Sequence, residues 1–109
     1  MTNGKKGKLR EPEARILALQ IAATFPNHQA TTEQIKAAIP KCRELSEADL
    51  KPSSTRLNEH MWEQIVGNIV SHKDSSRSLF NMGYAVRTRD GIRVTEKGIT
   101  FLKGKGLYE

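Results

Sequence analysis

The sequence predicts a mainly α domain with one small β-hairpin (α+β). Up to residue 82, apolar residues recur at three- and four-residue spacings, the mark of helices with one buried face. Between residues 84 and 95 the period shortens to two around an Asp-Gly pair, the mark of a hairpin. The length of 109 residues, 37% of them hydrophobic and 28% charged, suits one core and not two.

Residues 1–10 are rich in Gly and Lys and read as a flexible basic arm. Pro12 suits the first turn of a helix, where its missing N–H costs little. Ala14, Leu17, Ala18, Ile21, Ala22 and Phe25 then mark one face of a helix over 12–25, ended by Pro26-Asn27. Thr31 and Thr32 are N-cap candidates for a second helix carrying Ile35, Ala38 and Ile39, which Pro40 is expected to stop. Ser46-Glu47-Ala48-Asp49 has capping-box-like spacing and predicts a turn of helix over 46–50, followed by a break at 51–54. Trp62, Ile65, Val66, Ile69 and Val70 stripe a third helix over 59–72 and are expected in the core. Leu79, Phe80 and Met82 suit a fourth over 75–82, or the end of one bent helix from 59 to 82, with Gly83 as its C-terminal glycine. Tyr84–Thr88 and Ile92–Thr95 read as strands around Arg89-Asp90-Gly91, with Val86, Ile92 and Val94 inward and Arg87 and Arg93 outward. Thr95 caps a last helix carrying Ile99, Phe101 and Leu102, and 104–109 form a flexible tail, leaving 11–103 as the domain.

The net charge of +6 is uneven. Residues 1–10 hold four bases and no acid; residues 11–60 hold six bases and seven acids; residues 61–109 hold eight bases and five acids. Basic ends around a near-neutral middle suit a polyanion. The single cysteine, Cys42, excludes an intrachain disulfide and a four-cysteine zinc site, and suits a reducing cytoplasm. No apolar run reaches the roughly 18 residues of a membrane span, and Glu11, Glu13 and Arg15 interrupt any signal-peptide pattern, so no membrane partner is expected. His28, His60 and His72 are too scattered to predict a metal site, no Gly-rich phosphate loop is present, and no catalytic set or cofactor is expected.

The segment Met82-Gly83-Tyr84-Ala85-Val86-Arg87-Thr88-Arg89-Asp90-Gly91-Ile92-Arg93-Val94-Thr95-Glu96-Lys97-Gly98 resembles the wing of bacterial winged helix-turn-helix proteins. Residues 50–85, with an aromatic-led helix running into a Gly-ended segment, resemble the N-terminal winged-helix domain of Mrr-type restriction endonucleases; the likeness covers about 11–103. It implies a DNA-binding module of bacterial or phage origin, either a transcription regulator or a restriction- or defence-associated recognition protein. Those enzymes carry a separate nuclease domain after the winged helix, and this chain ends at Glu109, so their nuclease activity is not carried over.

On that reading the segment before the wing enters the major groove. It carries Lys73, Ser75, Ser76, Arg77 and Asn81. Arg77 is the best candidate for a base contact, because its planar fork matches guanine O6 and N7. The serines suit phosphate contacts or helix capping. Arg87, Arg89 and Arg93 suit phosphates or a narrow minor groove, and equally suit an edge hairpin protected by charge. Lys5, Lys6, Lys8 and Arg10 of the arm suit non-specific phosphate contact. Arg56, Asn58 and Glu59 read as a capping network. The expected partner is double-stranded DNA, with a homodimer and a separately encoded nuclease or other protein partner left open. The rival reading is a protein-interaction adaptor, because a fold does not fix a function.

Overall fold

The computed structural model describes residues 8–53, 59–71 and 78–108. Four α-helices stand among them: α1 (Glu11–Ala23), α2 (Thr32–Cys42), α3 (Met61–Ser71) and α4 (Glu96–Gly104). Three short strands, β1 (Gln29–Thr31), β2 (Ala85–Arg87) and β3 (Gly91–Val94), form an antiparallel sheet in the order β1-β3-β2. The α+β expectation holds, with one strand more than the sequence showed.

α1 is lined by alanine on its buried side: Ala14, Ala18, Ala22 and Ala23 lie with Leu19 and Ile21 in the core. Such small side chains let α2, α3 and β3 pack closely against it. The helix stops at Ala23, and Asn27 and His28 both take positive φ (61° and 55°), which turns the chain into β1. β1 is only three residues long, too short for a period-two pattern to be read. Its partners fix it: Gln29 lies opposite Arg93, Ala30 opposite Ile92 and Thr31 opposite Gly91.

Thr31 ends the strand and starts α2 in a capping box. Its hydroxyl accepts from the Gln34 N–H (3.0 Å), while the Gln34 side chain accepts from the Thr31 N–H (2.9 Å). Pro40 does not stop α2, which runs on to Cys42. Proline near a helix end removes a single backbone bond, and the last turn is held beyond it by the Arg43 N–H on the Ile39 carbonyl (3.1 Å).

The chain near 46–50 makes the expected helical turn, closed by the Leu50 N–H on the Ser46 carbonyl (3.2 Å). The described part of the 51–54 break, residues 51–53, is more than a linker. Pro52 bridges to His60, and the Asp49 and Lys51 carbonyls accept from the first N–H groups of α3, on Trp62 and Met61. Trp62, Val66, Ile69 and Val70 are all buried, so the stripe of α3 is core as expected.

The helix expected at 75–82 is absent from its described part. Residues 78–83 make one turn, with the Met82 N–H on the Ser78 carbonyl (3.0 Å) and the Tyr84 N–H reaching back to the Leu79 carbonyl (2.9 Å). Gly83 closes it at φ +82°, in the left-handed region that glycine enters without cost. α3 is described as far as Ser71, and 72–77 lie outside the described residues.

Both ends of the domain are tied down further than the sequence indicated. Leu9, assigned to the arm, is fully buried, and its N–H donates to Asp49 Oδ1 (2.7 Å). At the other end the Leu107 N–H donates to the Leu102 carbonyl (2.9 Å), and Tyr108 meets His28 (3.2 Å between its hydroxyl and Nε2), so 107–108 pack on the core instead of fraying.

Candidate nucleic-acid interface

The hairpin is the part of the predicted site that the structure describes in full. Cross-strand pairing sets Ala85 against Val94, Val86 against Arg93, and Arg87 against Ile92. Ala85, Ile92 and Val94 are buried. Val86, expected inward, instead shares the outer face with Arg93 and Gln29 and is 39% exposed. The cause is the pleat: with Ala85 packed on the core, its neighbour must point away. Arg87 and Arg93 therefore leave opposite faces of the sheet, not one. Arg87 still reaches solvent because it stands at the end of β2, past the edge of the core.

Arg89 and Asp90 occupy the tip of the turn. Thr88 and Gly91 close it, with the Thr88 N–H on the Gly91 carbonyl (3.0 Å) and the Gly91 N–H on the Thr88 hydroxyl (3.0 Å). Gly91 is not used for a positive φ. A Cβ there would overlap the Ala30 carbonyl oxygen and lie 2.6 Å from Thr31 Cα, so glycine is required by the close approach of β1. Gly98 has a similar place: a Cβ would overlap the Tyr84 carbonyl oxygen and lie 2.7 Å from Val94 Cγ1. Glycines at these two points let β1 and α4 press against the hairpin.

The tip is not a free flap. The Asp90 carbonyl accepts from both the Thr32 N–H (2.8 Å) and the Thr32 hydroxyl (3.1 Å), at the first turn of α2. The base of the hairpin is locked by Thr95, whose hydroxyl donates to the Gly83 carbonyl (2.6 Å) and accepts from the Gly98 N–H (3.1 Å), capping α4 as expected. The result is a braced ridge bearing Arg87, Arg89 and Arg93, all exposed. None of the three is ion-paired with another described residue. The Asp90 carboxylate is the one acid on the ridge and offsets part of its charge.

Lys8 and Arg10 are exposed on either side of buried Leu9, immediately before α1, and Arg10 is its N-cap residue. Asn81 is exposed in the turn before β2, with its N–H on Ser78 Oγ (3.1 Å). Lys5, Lys6, Lys73, Ser75, Ser76 and Arg77 lie outside the described residues, as do Arg56, Asn58 and His72. Of the expected capping network, Glu59 takes an ion pair from Lys36 of α2 (2.9 Å). Cys42 is exposed. Among the described residues, no three His, Cys, Asp or Glu side chains gather in a metal-binding group, and no helix is long and apolar enough to cross a membrane.

Sequence reasoning missed the contacts that hold the ridge: those of Thr32, at the start of α2, with the Asp90 carbonyl, and the pairing of Gln29 with Arg93. The Thr-x-x-Gln spacing announced the cap, but nothing local announced that the same helix start receives the turn 58 residues later. Comparison with protein-family models, characterised proteins and solved structures found no match to this chain.

Proposed function

We propose that the chain is a winged helix-turn-helix module that binds double-stranded DNA. The observation that carries this reading is the braced hairpin with three exposed arginines, none ion-paired with another described residue, on a chain of net charge +6. The order of elements supports it: helix, strand, two helices, then a hairpin whose second strand pairs with the first strand of the domain. A winged helix is built in that order. The arginines of the wing contact phosphates, the source of most sequence-independent affinity. Residues 73–81 enter the major groove, with Arg77 on a guanine edge. Lys5, Lys6, Lys8 and Arg10 add phosphate contacts. The setting that fits is a transcription regulator or a restriction- or defence-associated recognition protein, with no catalysis of its own.

The test is the triple variant Arg87→Gln, Arg89→Gln, Arg93→Gln in fluorescence anisotropy with labelled duplex DNA. The reading expects weaker binding to every sequence and a salt dependence shallower by about 2–3 in log–log slope. Binding equal to that of the unaltered chain would overturn the role of the wing. In the same assay Arg77→Ala should flatten preference among sequences by on the order of 1–3 kcal/mol on the best site.

A further inference from the structure

Away from the hairpin ridge, three elements leave an open cleft of about 410 Å³ between them. Ile16 and Leu19 of α1 form one wall, Leu79 and Met82 of the turn before β2 another, and Phe101 of α4 the third. Met82 is 39% exposed, an unusual state for an apolar side chain on a turn that otherwise buries Leu79. The cleft has an aromatic edge: Phe101 stacks on Tyr84 with ring centroids 4.4 Å apart. Its charged lining among the described residues is Arg15 and Lys105. Lys105 holds its ammonium 5.3 Å from the centre of the Phe101 ring, and Arg15 lies on the opposite wall, loosely paired with Glu11 at 3.5 Å. Among the described residues, no Asp or Glu lines the cleft.

Size, surface and charge each narrow the occupant. The volume lies within the roughly 300–1,000 Å³ of small-molecule sites, which are mostly apolar with a few polar groups that fix orientation. An aromatic ring beside an exposed methionine favours a flat ring, because thioether and aromatic faces both gain from contact with a π system. Cations on two walls, with no acid among the described lining residues, favour a negative charge at the end of that ring. We propose that this cleft binds a small aromatic carboxylate, with its ring against Met82 and Phe101 and its carboxylate toward Lys105 and Arg15. This proposal does not rest on the DNA-binding reading, although Leu79 of its lining belongs to the segment 73–81 used in that reading. The cleft does touch the turn that leads into β2.

The experiment is an NMR titration of the full chain with 2-naphthoate and, separately, with its uncharged analogue 2-naphthamide. The proposal expects shifts confined to residues around Ile16, Met82, Phe101 and Lys105, and the acid binding about fivefold more tightly than the amide. Lys105→Gln, at an exposed position past the end of α4, should bring acid and amide close to parity without unfolding the protein. The proposal is overturned if naphthoate leaves those resonances unmoved, if the amide binds as tightly as the acid, or if Lys105→Gln leaves the preference intact. None of these readouts depends on DNA.

Discussion

Asp49 is a heavily used polar side chain in the core. It is 1% exposed, and it ties Leu9, 40 residues away in sequence, to the turn at 46–50 and to Arg43. Its carboxylate accepts from the Leu9 N–H (2.7 Å), the Ser46 N–H (2.9 Å) and hydroxyl (3.1 Å), and the Arg43 guanidinium (3.1 Å). Burial by itself pushes the carboxyl upward. The backbone bonds from Ser46 and Leu9, the Ser46 hydroxyl and the Arg43 charge outweigh it and hold Asp49 below the usual aspartate range. Because the folded value lies below the unfolded one, the unfolded chain takes up a proton first as the pH falls. The stability from Asp49 is therefore complete above about pH 4 and is lost progressively below it. Asp49→Asn places an amide among donors and should cost on the order of 3 kcal/mol at pH 7. Chemical denaturation from pH 3 to 7 checks both points: the variant should be weaker at neutral pH and show a flatter acid limb. Thr31→Ala removes half of a capping box and should cost about 1 kcal/mol by the same measurement.

At the scale of elements, the sheet depends on the space that two glycines leave. Gly91→Ala forces a methyl group into the β1 backbone, where no side-chain movement can relieve it. It should destabilise the domain by at least about 2 kcal/mol and free the hairpin tip from α2, visible as faster amide exchange at Thr32. The helices were legible because their stripes are long: Trp62, Val66, Ile69 and Val70 fall where the period requires, and Thr95 caps α4 as its sequence suggests. Other features were not legible, for specific reasons. β1 exists through its partner strand, and three residues carry no period of their own. Pro40 is tolerated because it stands within one turn of the helix end. Val86 was placed inward because it is apolar, but Ala85 is the residue that packs on the core, and alternation then turns Val86 outward. Asp90-Gly91 correctly signalled a hairpin, yet its glycine serves the contact with β1 and not the turn angle.

At the scale of the molecule, the described residues form one core capped by a basic ridge. The buried side chains of α1, α2, α3 and the sheet belong to a single cluster that also takes in Leu9 and Leu102 from its two ends. That core fixes the hairpin from three sides: β1 alongside, α2 at the tip and α4 at the base. Rigid presentation matters for a phosphate-contacting element, because less ordering entropy opposes binding. The candidate base-reading segment was legible only from its position before the wing and from the residue types of Lys73, Ser75, Ser76, Arg77 and Asn81. The central claim is that the basic ridge faces double-stranded DNA. Fluorescence anisotropy of a random duplex of about 25 base pairs, across a salt series from about 50 to 200 mM, tests it most directly. The account predicts measurable binding at the lowest salt and a steep linear loss of log affinity with log salt, of the size expected for several phosphate contacts. No binding at about 50 mM salt would contradict it.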